Sequence, residues 1–145
     1  MLLETLIALV IFSFGLLGGL ALLIESLRTS HEALQRTLAV ALAADLAERI
    51  RANRQAGIAY ELTADSILLA PDSVCDVATP CAAATRAALD LYEWRQRVAD
   101  GLPGAVSHVA VAQAAASGTS LYTIEIRWSV PGQQAEDVFT LRLLA

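Results

Sequence analysis

The sequence of 145 residues contains no lysine and only two histidines, and 17% of its residues are charged. Without lysine, neither Schiff-base nor serine–lysine catalysis is available. The ten arginines form no cluster interleaved with aromatic side chains, so we do not expect nucleic-acid binding. Motifs of serine hydrolases, zinc peptidases, phosphate-binding loops and dinucleotide-binding folds are absent. Because His31 and His108 have no evident nucleophile or metal partner, we expect no catalytic, cofactor-binding or metal site.

Residues 5–24 contain neither charge nor proline, and Glu4 stands directly before them. As a helix this run would cover about 30 Å, the thickness of the hydrocarbon core of a membrane. A cleavable signal peptide would instead have a basic start, a shorter apolar run and a small-residue cleavage site. We therefore predict that residues 1–24 are a retained transmembrane half of a longer helix.

Glu4 and three glycines are the unusual residues of this segment. An ionisable group in an apolar helix is costly and usually has a partner, although the helix dipole would also favour Glu4 at the membrane interface. Gly15 and Gly19 form a GxxxG pattern with Gly18 between them. This pattern fits either close helix–helix packing or a local weak point in the helix.

Helical periodicity continues beyond the apolar run, and no proline occurs before Pro71. One stripe is charged, at Glu25, Arg28, Glu32 and Arg36. Large apolar residues recur every four positions, at Leu34, Leu38, Leu42, Leu46 and Ile50. Such a repeat drifts around a helix, so this half should be covered over a wide arc. We predict a helix of about fifty residues whose second half, 25–54, is the spine of a head domain, with Arg49, Arg51 and Arg54 complementing its C-terminal dipole.

The connecting region, 55–80, lacks clear periodicity and leads to two cysteines. Cys75 and Cys81 are the only cysteines of the chain, and their spacing does not suit a metal site. We favour a disulfide, which implies an oxidising compartment. A simple count of positive charge, with Arg28 and Arg36 after the apolar run, would place the region that follows this run in the cytoplasm. We give more weight to the cysteines, which favour an oxidising compartment.

A second helix is predicted over residues 81–100. Thr79-Pro80 resembles an N-cap followed by a first-turn proline, and Gly101 with Pro103 beyond it is typical of a helix end. Asp90 and Glu93 are expected on its solvated face. Its apolar face is expected to carry Ala84, Ala88, Leu91, Trp94 and Val98.

The last part of the chain, 105–145, changes to a period of two, which indicates strands. Inward positions are predicted at Tyr122, Ile124, Ile126, Trp128 and Val130, then at Phe139, Leu141 and Leu143, with a weaker strand over 105–112. Turns are expected near Ser117-Gly118 and Pro131-Gly132. Three successive strands with short connections predict an antiparallel meander that packs on the long helix, and thus an α+β domain.

Several stretches resemble a known family. The N-terminal LLETLIALVIFSFGLLGGLALL is similar to the signature of type IV pilins. The chain further resembles one branch, the PilV-type minor pilins, in ERIRANR, the Cys75/Cys81 pair, DLYEW, LPG and YTIEIRW. The resemblance therefore covers nearly the whole chain. It implies the type IV pilin-like fold, in which a long N-terminal helix, transmembrane in its first half, packs on a small antiparallel sheet of about three strands with a second short helix.

The resemblance implies assembly rather than catalysis. Pilins are first held in the inner membrane, with a single span and a periplasmic head, which here would be 25–145. They are then extracted into a surface filament that is held together by their N-terminal helices. Glu4 matches the glutamate that neutralises the terminal amine of a neighbouring subunit. The implied function is that of a minor pilin which primes the type IV pilus at or near its tip. Its partners would be other minor pilins, the major pilin, the inner-membrane assembly platform and sometimes a tip adhesin, in filaments associated with cell adhesion and twitching motility.

The start of the sequence departs from the family pattern. Pilins carry a leader that is cut after a glycine, and a methylated residue, usually phenylalanine, then precedes a threonine and Leu-Leu-Glu. Met1 stands at the position of that threonine. Either the start was assigned too far downstream or the chain was shortened, and we expect no normal cleavage or methylation of the chain as written.

Two other functions remain open from the sequence. A minor pseudopilin of a type II secretion system would share the architecture but serve secretion. A membrane-anchored periplasmic domain that binds a partner by itself would not require Glu4 for assembly.

Overall fold

The computed structural model describes residues 2–68, 70, 75, 81–113, 119–130 and 136–145. In chain order its elements are helix α1 (Leu2–Ala52), a 3₁₀ segment (Arg54–Tyr60), helix α2 (Ala83–Gly101), and strands β1 (Val106–Gln113), β2 (Ser120–Ser129) and β3 (Glu136–Leu144). The chain divides into two compact units, Met1–Leu34 and Gln35–Ala145. We describe each unit by itself.

The first unit consists of helix. Helix α1 runs unbroken for 51 residues, as expected from a sequence with no early proline. The glycines at positions 15, 18 and 19 do not interrupt it. Apart from half-buried Glu32, every described residue of this unit is exposed. The first unit therefore contributes no core of its own.

The second part of α1, from Gln35 onward, supplies one side of the core of the second unit. Its buried positions are Gln35, Ala39, Leu42, Ala43, Leu46, Ala47 and Ile50. The prediction that Leu34 and Leu38 continue this stripe is wrong, since they are 67% and 37% exposed. A spacing of four overshoots the 3.6-residue turn, so the leucines rotate away while alanines take the inward positions. Val40 is also 44% exposed, so the wide covering that we expected is incomplete.

The three strands form the predicted antiparallel meander, in the order β1-β2-β3. The alternation predicted for β2 is confirmed, because its inward residues are buried and the residues between them are not. In β3 only one of the three predicted inward residues, Leu143, is fully buried, while Phe139 and Leu141 are half-buried. The inner face joins α1 and α2 in one core, to which the sheet contributes Val109, Tyr122, Ile124, Ile126, Trp128 and Leu143, and to which Val130 adds directly after β2.

Helix α2 begins at Ala83, two residues later than the predicted start at residue 81. Thr79 and Pro80 lie outside the described residues, and Ala82 at the N-cap supplies no side-chain hydrogen bond. Ala84 and Ala88 are exposed, which contradicts their predicted inward positions. The sequence ATRAALDL offers two overlapping alanine registers, and the buried face is Ala87, Asp90, Leu91, Trp94 and Val98. The predicted end at Gly101 is confirmed, and the Leu102 N–H closes it by donating to the Val98 carbonyl (3.0 Å).

The start of the connecting region contributes to the core, which its lack of periodicity did not reveal. Gly57 has φ +50° and ψ −119°, a conformation that favours glycine, and it turns the chain within the 3₁₀ segment. Tyr60 and Leu62 follow and are fully buried. Leu62 exchanges two backbone hydrogen bonds with Val109 of β1, at 2.9 and 2.8 Å. The turns predicted near residues 117–118 and 131–132 lie outside the described residues.

Candidate assembly segment and polar cluster

The first unit presents an apolar helix without any covering in the described residues. Its most apolar 18-residue window has a mean hydropathy of 2.6 and no buried residue, so it has the length and composition to cross a membrane. Phe14 is 72% exposed and Leu22 is 75% exposed. Contiguous apolar surface of this extent marks a segment that is covered by lipid or by other protein.

Glu4 is the only charged residue between positions 2 and 24. Its side chain is exposed, and within the described part of the chain it forms no ion pair. The two other polar side chains of this stretch bond back to their own helix. Thr5 Oγ1 donates to the Leu2 carbonyl (2.9 Å) and Ser13 Oγ to the Leu9 carbonyl (2.7 Å). The carboxylate of Glu4 is thus the one polar group here that still requires a partner in an apolar environment.

The glycines of the apolar segment leave open space on the helix surface. A Cβ added at Gly15, Gly18 or Gly19 would meet no atom within 4 Å. Nothing in the helix itself therefore requires glycine at these positions, and an approaching helix backbone would find a shallow surface there. The packing and flexibility interpretations both remain predictions.

Cys75 and Cys81 form a disulfide in the structure. The Cα atoms are 5.4 Å apart and the S–S distance is 2.07 Å, which are ordinary values for a disulfide. The bond links the connecting region to the residue that stands two positions before α2. It thereby anchors the start of this helix, where no side-chain cap is present.

A polar cluster joins the end of α1 to α2, and we define it as Asp45, Arg49, Tyr60, Asp90 and Glu93. Asp90 lies at its centre and is only 2% exposed, so the prediction that Asp90 belongs to a solvated face is wrong. Its carboxylate accepts hydrogen bonds from Arg49 Nη1 (2.7 Å) and from the Tyr60 hydroxyl (2.8 Å). A buried carboxylate is stable only when it is paired in this way.

Besides complementing the dipole at the end of α1, Arg49 pairs with acidic residues of both helices. Its guanidinium also contacts Asp45 on the same helix and Glu93 on α2, both at 3.1 Å. Burial alone would lower the pKa of Arg49, but the hydrogen bond to Asp90 and the charges of Asp45 and Glu93 outweigh it, and the pKa is raised. The arginine therefore remains charged and holds the two helices together.

Tyr60 completes the cluster from the segment between the helices. Burial raises the pKa of its hydroxyl above the ordinary value, the amide of Asn53 lowers it, and the hydrogen bond donated to Asp90 raises it again. The amide of Asn53 also donates to the Ala83 carbonyl (2.9 Å) in the first turn of α2. Sequence reasoning missed Tyr60, Asn53 and Asp90, because no local pattern marks a contact between residues so far apart in the chain.

Two further contacts fix α2. Trp94 is buried, as predicted for a core anchor, and its indole N–H donates to the Leu42 carbonyl of α1 (2.8 Å). Arg95 donates to the carbonyls of Ala64 and Ser66 and so holds the connecting region against α2. Both contacts position elements, and neither leaves a reactive group exposed.

The described residues contain no group of His, Cys, Asp or Glu side chains that could hold a metal ion. His31 is exposed on α1, and His108 lies on the outer face of β1 opposite Glu125. A cleft of about 420 Å³ beside the polar cluster is lined by Arg49, Asn53, Arg86 and Asp90 among others. Its two arginines and its aspartate already pair with one another, so the cleft offers no free acid or base.

Comparison with known proteins gives one family match. The model of the family Tt1218-like, described as Type IV pilin Tt1218, matches residues 21–92, just under half of the chain. The matched stretch contains most of α1, the 3₁₀ segment and the first half of α2, and it includes every residue of the polar cluster except Glu93. No curated protein and no solved structure matches the chain.

Proposed function

We propose that this chain, which has the fold of a type IV pilin and whose match supports that family, is a non-catalytic minor pilin that primes type IV pilus assembly at or near the pilus tip. Proteins of this family are structural, and they interact with other pilins during assembly. The observation that carries the proposal is the exposed apolar segment with Glu4 as its single charge. The resemblance to PilV-type minor pilins supports the finer assignment.

The apolar segment suits the two environments that a pilin occupies in turn. In the inner membrane its side chains face lipid, and in the filament they face the N-terminal helices of other minor pilins and of the major pilin. Because lipid is as apolar as a leucine side chain, exchanging one for the other changes little hydrophobic free energy. Close packing then decides the association, and the open surface at Gly15, Gly18 and Gly19 favours it.

Glu4 supplies the polar part of this association. In lipid its carboxylate has no partner from its own chain among the described residues, so the ammonium of a neighbouring subunit would remove an expensive unpaired charge. The attraction between two such charges is far stronger in an apolar medium than at a wet surface. A subunit would therefore gain most from a neighbour whose N-terminus reaches Glu4.

The proposed location is the inner membrane with one span, the head (25–145) in the periplasm, and later the pilus on the cell surface. The apolar helix fits the membrane anchor of a pilin. The disulfide between Cys75 and Cys81 supports an oxidising compartment for the head. The charged stripe starts at Glu25, directly after the apolar run, which supports a membrane boundary at that point.

The proposal is tested with Glu4→Ala in a chain carrying a functional prepilin leader, with Glu25→Ala as the matched control outside the apolar run. We expect membrane levels of the Glu4 variant equal to or above those of the wild type, because a costly charge has been removed from lipid. Surface piliation and recovery of the variant in sheared filaments should fall, whereas the control should behave like the wild type. Equal recovery of both variants would overturn the proposed role of Glu4 and favour a membrane-anchored domain that acts alone.

The type II secretion alternative requires a separate measurement. A strain that lacks the gene should lose pili and keep secretion of its exported enzymes if the chain is a minor pilin. Loss of secretion with normal piliation would assign the chain to the pseudopilins instead.

A further inference from the structure

Hydroxyl side chains are concentrated in one turn of α1, directly after the apolar run. Thr29 Oγ1 lies within hydrogen-bond distance of the carbonyls of Glu25 (3.1 Å) and Ser26 (3.0 Å). Ser30 Oγ also donates to the Ser26 carbonyl (2.8 Å). Both carbonyls are acceptors of the helix backbone as well, so the hydroxyls compete for the bonds that hold the helix. Serine and threonine that bond back in this way slightly destabilise a helix and often bend it.

The stretch that carries these hydroxyls has almost no covering from the described part of the chain. Every residue from 25 to 34 is exposed except Glu32, which is half-buried. A short helix without packing depends on its own backbone bonds and is marginal in water. Arg28 Nε does pair with Glu32 Oε1 at 3.5 Å, but pairs four residues apart on a helix surface contribute little. The helix is therefore weakly supported here.

The parts of α1 on either side of this stretch are supported in two different ways. If the apolar run lies in lipid, its backbone bonds cannot open easily, because lipid offers no replacement donor or acceptor. The low helix propensity of its three glycines then has little effect, since no water competes for their backbone groups. From Gln35 onward, α1 packs into the core of the second unit. Between them, residues 25–34 have neither lipid nor core around them.

We propose that residues 26–30 form a flexure in α1, at which backbone hydrogen bonds open locally and the helix bends. The flexure allows the apolar run to change its tilt in the membrane without any change inside the second unit. It also assigns the weak point of α1 to the hydroxyl-bearing turn instead of the glycines. This inference rests on the proposed membrane location of the apolar run, but it requires no role in a pilus.

The first test is amide hydrogen exchange of the full chain in lipid nanodiscs, read residue by residue by NMR. Exchange reports how often each backbone bond opens to water. We expect the amides of residues 29–34 to exchange faster than those of the apolar run, 5–24, and faster than those of the packed part, 39–50. Within α1, only the first turn, where the amides have no acceptor in the helix, should exchange as fast.

A triple alanine variant identifies the cause of the opening. Replacing Ser26, Thr29 and Ser30 together by alanine raises helix propensity and removes the competing hydroxyls, so exchange at 29–34 should slow by about tenfold. The matched control replaces the three glycines at positions 15, 18 and 19 by alanine. It also raises helix propensity in α1, but it should leave exchange at 29–34 unchanged.

The second test measures bending through the two tryptophans. Trp94 and Trp128 are both buried in the second unit, so the decay of their fluorescence anisotropy in nanodiscs reports the rotation of this unit. We expect a component that is faster than the tumbling of the nanodisc. Its amplitude should fall in the triple alanine variant and should be retained in the glycine control.

The outcomes separate a failure of the flexure from a failure of the membrane location. Slow exchange at both 5–24 and 29–34, or an anisotropy decay that is the same in the wild type and the triple alanine variant, would overturn the flexure alone. Faster exchange at the glycines than at 29–34, with the rest of the run protected, would assign the weak point to them and would also overturn it. Fast exchange throughout 5–24 would overturn the membrane location and the flexure with it.

Discussion

Arg49 and Asp90 are joined by a hydrogen-bonded ion pair of 2.7 Å that connects the end of α1 to the middle of α2. The side chain of Asp90 is 3% exposed and that of Arg49 is 23% exposed, so solvent screens the pair only weakly. Both residues lie in the stretch that matches the pilin family. The pair therefore links α1 to α2 in the second unit, where both helices share one core with the sheet.

Removing one partner of this pair should destabilise the head strongly. Arg49→Ala leaves the buried Asp90 carboxylate without its closest cation, and the free energy of unfolding should fall by about 3 kcal/mol. Urea unfolding of the chain in detergent, followed by tryptophan fluorescence, measures this change. Arg51→Ala is the matched control, because Arg51 forms an exposed pair with Glu48 and its loss should cost less than about 1 kcal/mol. Equal losses for both variants would contradict the assigned importance of Asp90.

Tyr60 should make the head sensitive to alkaline pH. Its pKa is raised in the folded state by burial, so this contribution is complete below the unfolded pKa of about 10 and is lost as pH rises beyond it. Tyr60→Phe should be less stable at pH 8 by about 1 kcal/mol, because the hydrogen bond to Asp90 is gone. From pH 9 to 11 its unfolding free energy should decline less steeply than that of the wild type. If the free energy of unfolding fell equally steeply in both proteins, another group would be responsible for the loss of stability at alkaline pH.

The disulfide should be a modest local stabiliser. Thiol labelling of unreduced, denatured protein should find neither Cys75 nor Cys81 free. Replacing both by serine should lower the unfolding free energy by roughly 2 kcal/mol, because the closed loop is short. The loss should be seen in urea unfolding, with the fold otherwise retained. Two labelled cysteines in normally exported protein would contradict both the bond and the proposed compartment.

A fragment of residues 25–145 should be soluble without detergent. The core belongs entirely to the unit Gln35–Ala145, and the exposed apolar run ends at Ile24. After expression in an oxidising compartment, the fragment should stay in the supernatant on ultracentrifugation. The chain that includes residues 2–24 should require detergent under the same conditions. Persistent aggregation of the fragment would mean that the boundary at residue 25 is misplaced.

The sequence predicted those elements whose environment differs between two faces. Strand β2 alternates strictly because one face meets the core and the other meets solvent, so Ile124 and Glu125 could be placed correctly. Helix α2 was harder, since its alanines fit two overlapping registers and burial of Ala87 depends on which surface lies opposite. Tyr60 and Leu62 follow a glycine turn, where no period exists to reveal that they enter the core.

The polar cluster could not be predicted from the sequence, for a different reason. Asp90 resembles any acidic residue on a soluble helix, and only the approach of Arg49 and Tyr60 from elsewhere in the chain makes its burial possible. The exposure of the apolar run, 5–24, could in contrast be predicted from the sequence, because it depends on composition alone. Absence of charge from 5–24 predicts exposure to an apolar medium without any knowledge of tertiary contacts.

The hydrogen bonds of the Thr5 and Ser13 hydroxyls affect how the apolar run, 5–24, can pack against neighbouring helices. Since each hydroxyl already donates its only proton to a carbonyl of its own helix, neither is left to donate a hydrogen bond to another helix. In the proposed filament, rotation about the helix axis would then depend on the shape of the helix surface, which is lowest at the glycines. If Glu4 pairs with the ammonium of a neighbouring subunit as proposed, this one charge would set the height of the segment along the axis, and a subunit that slides through a bundle of like helices would have a single axial stopping point.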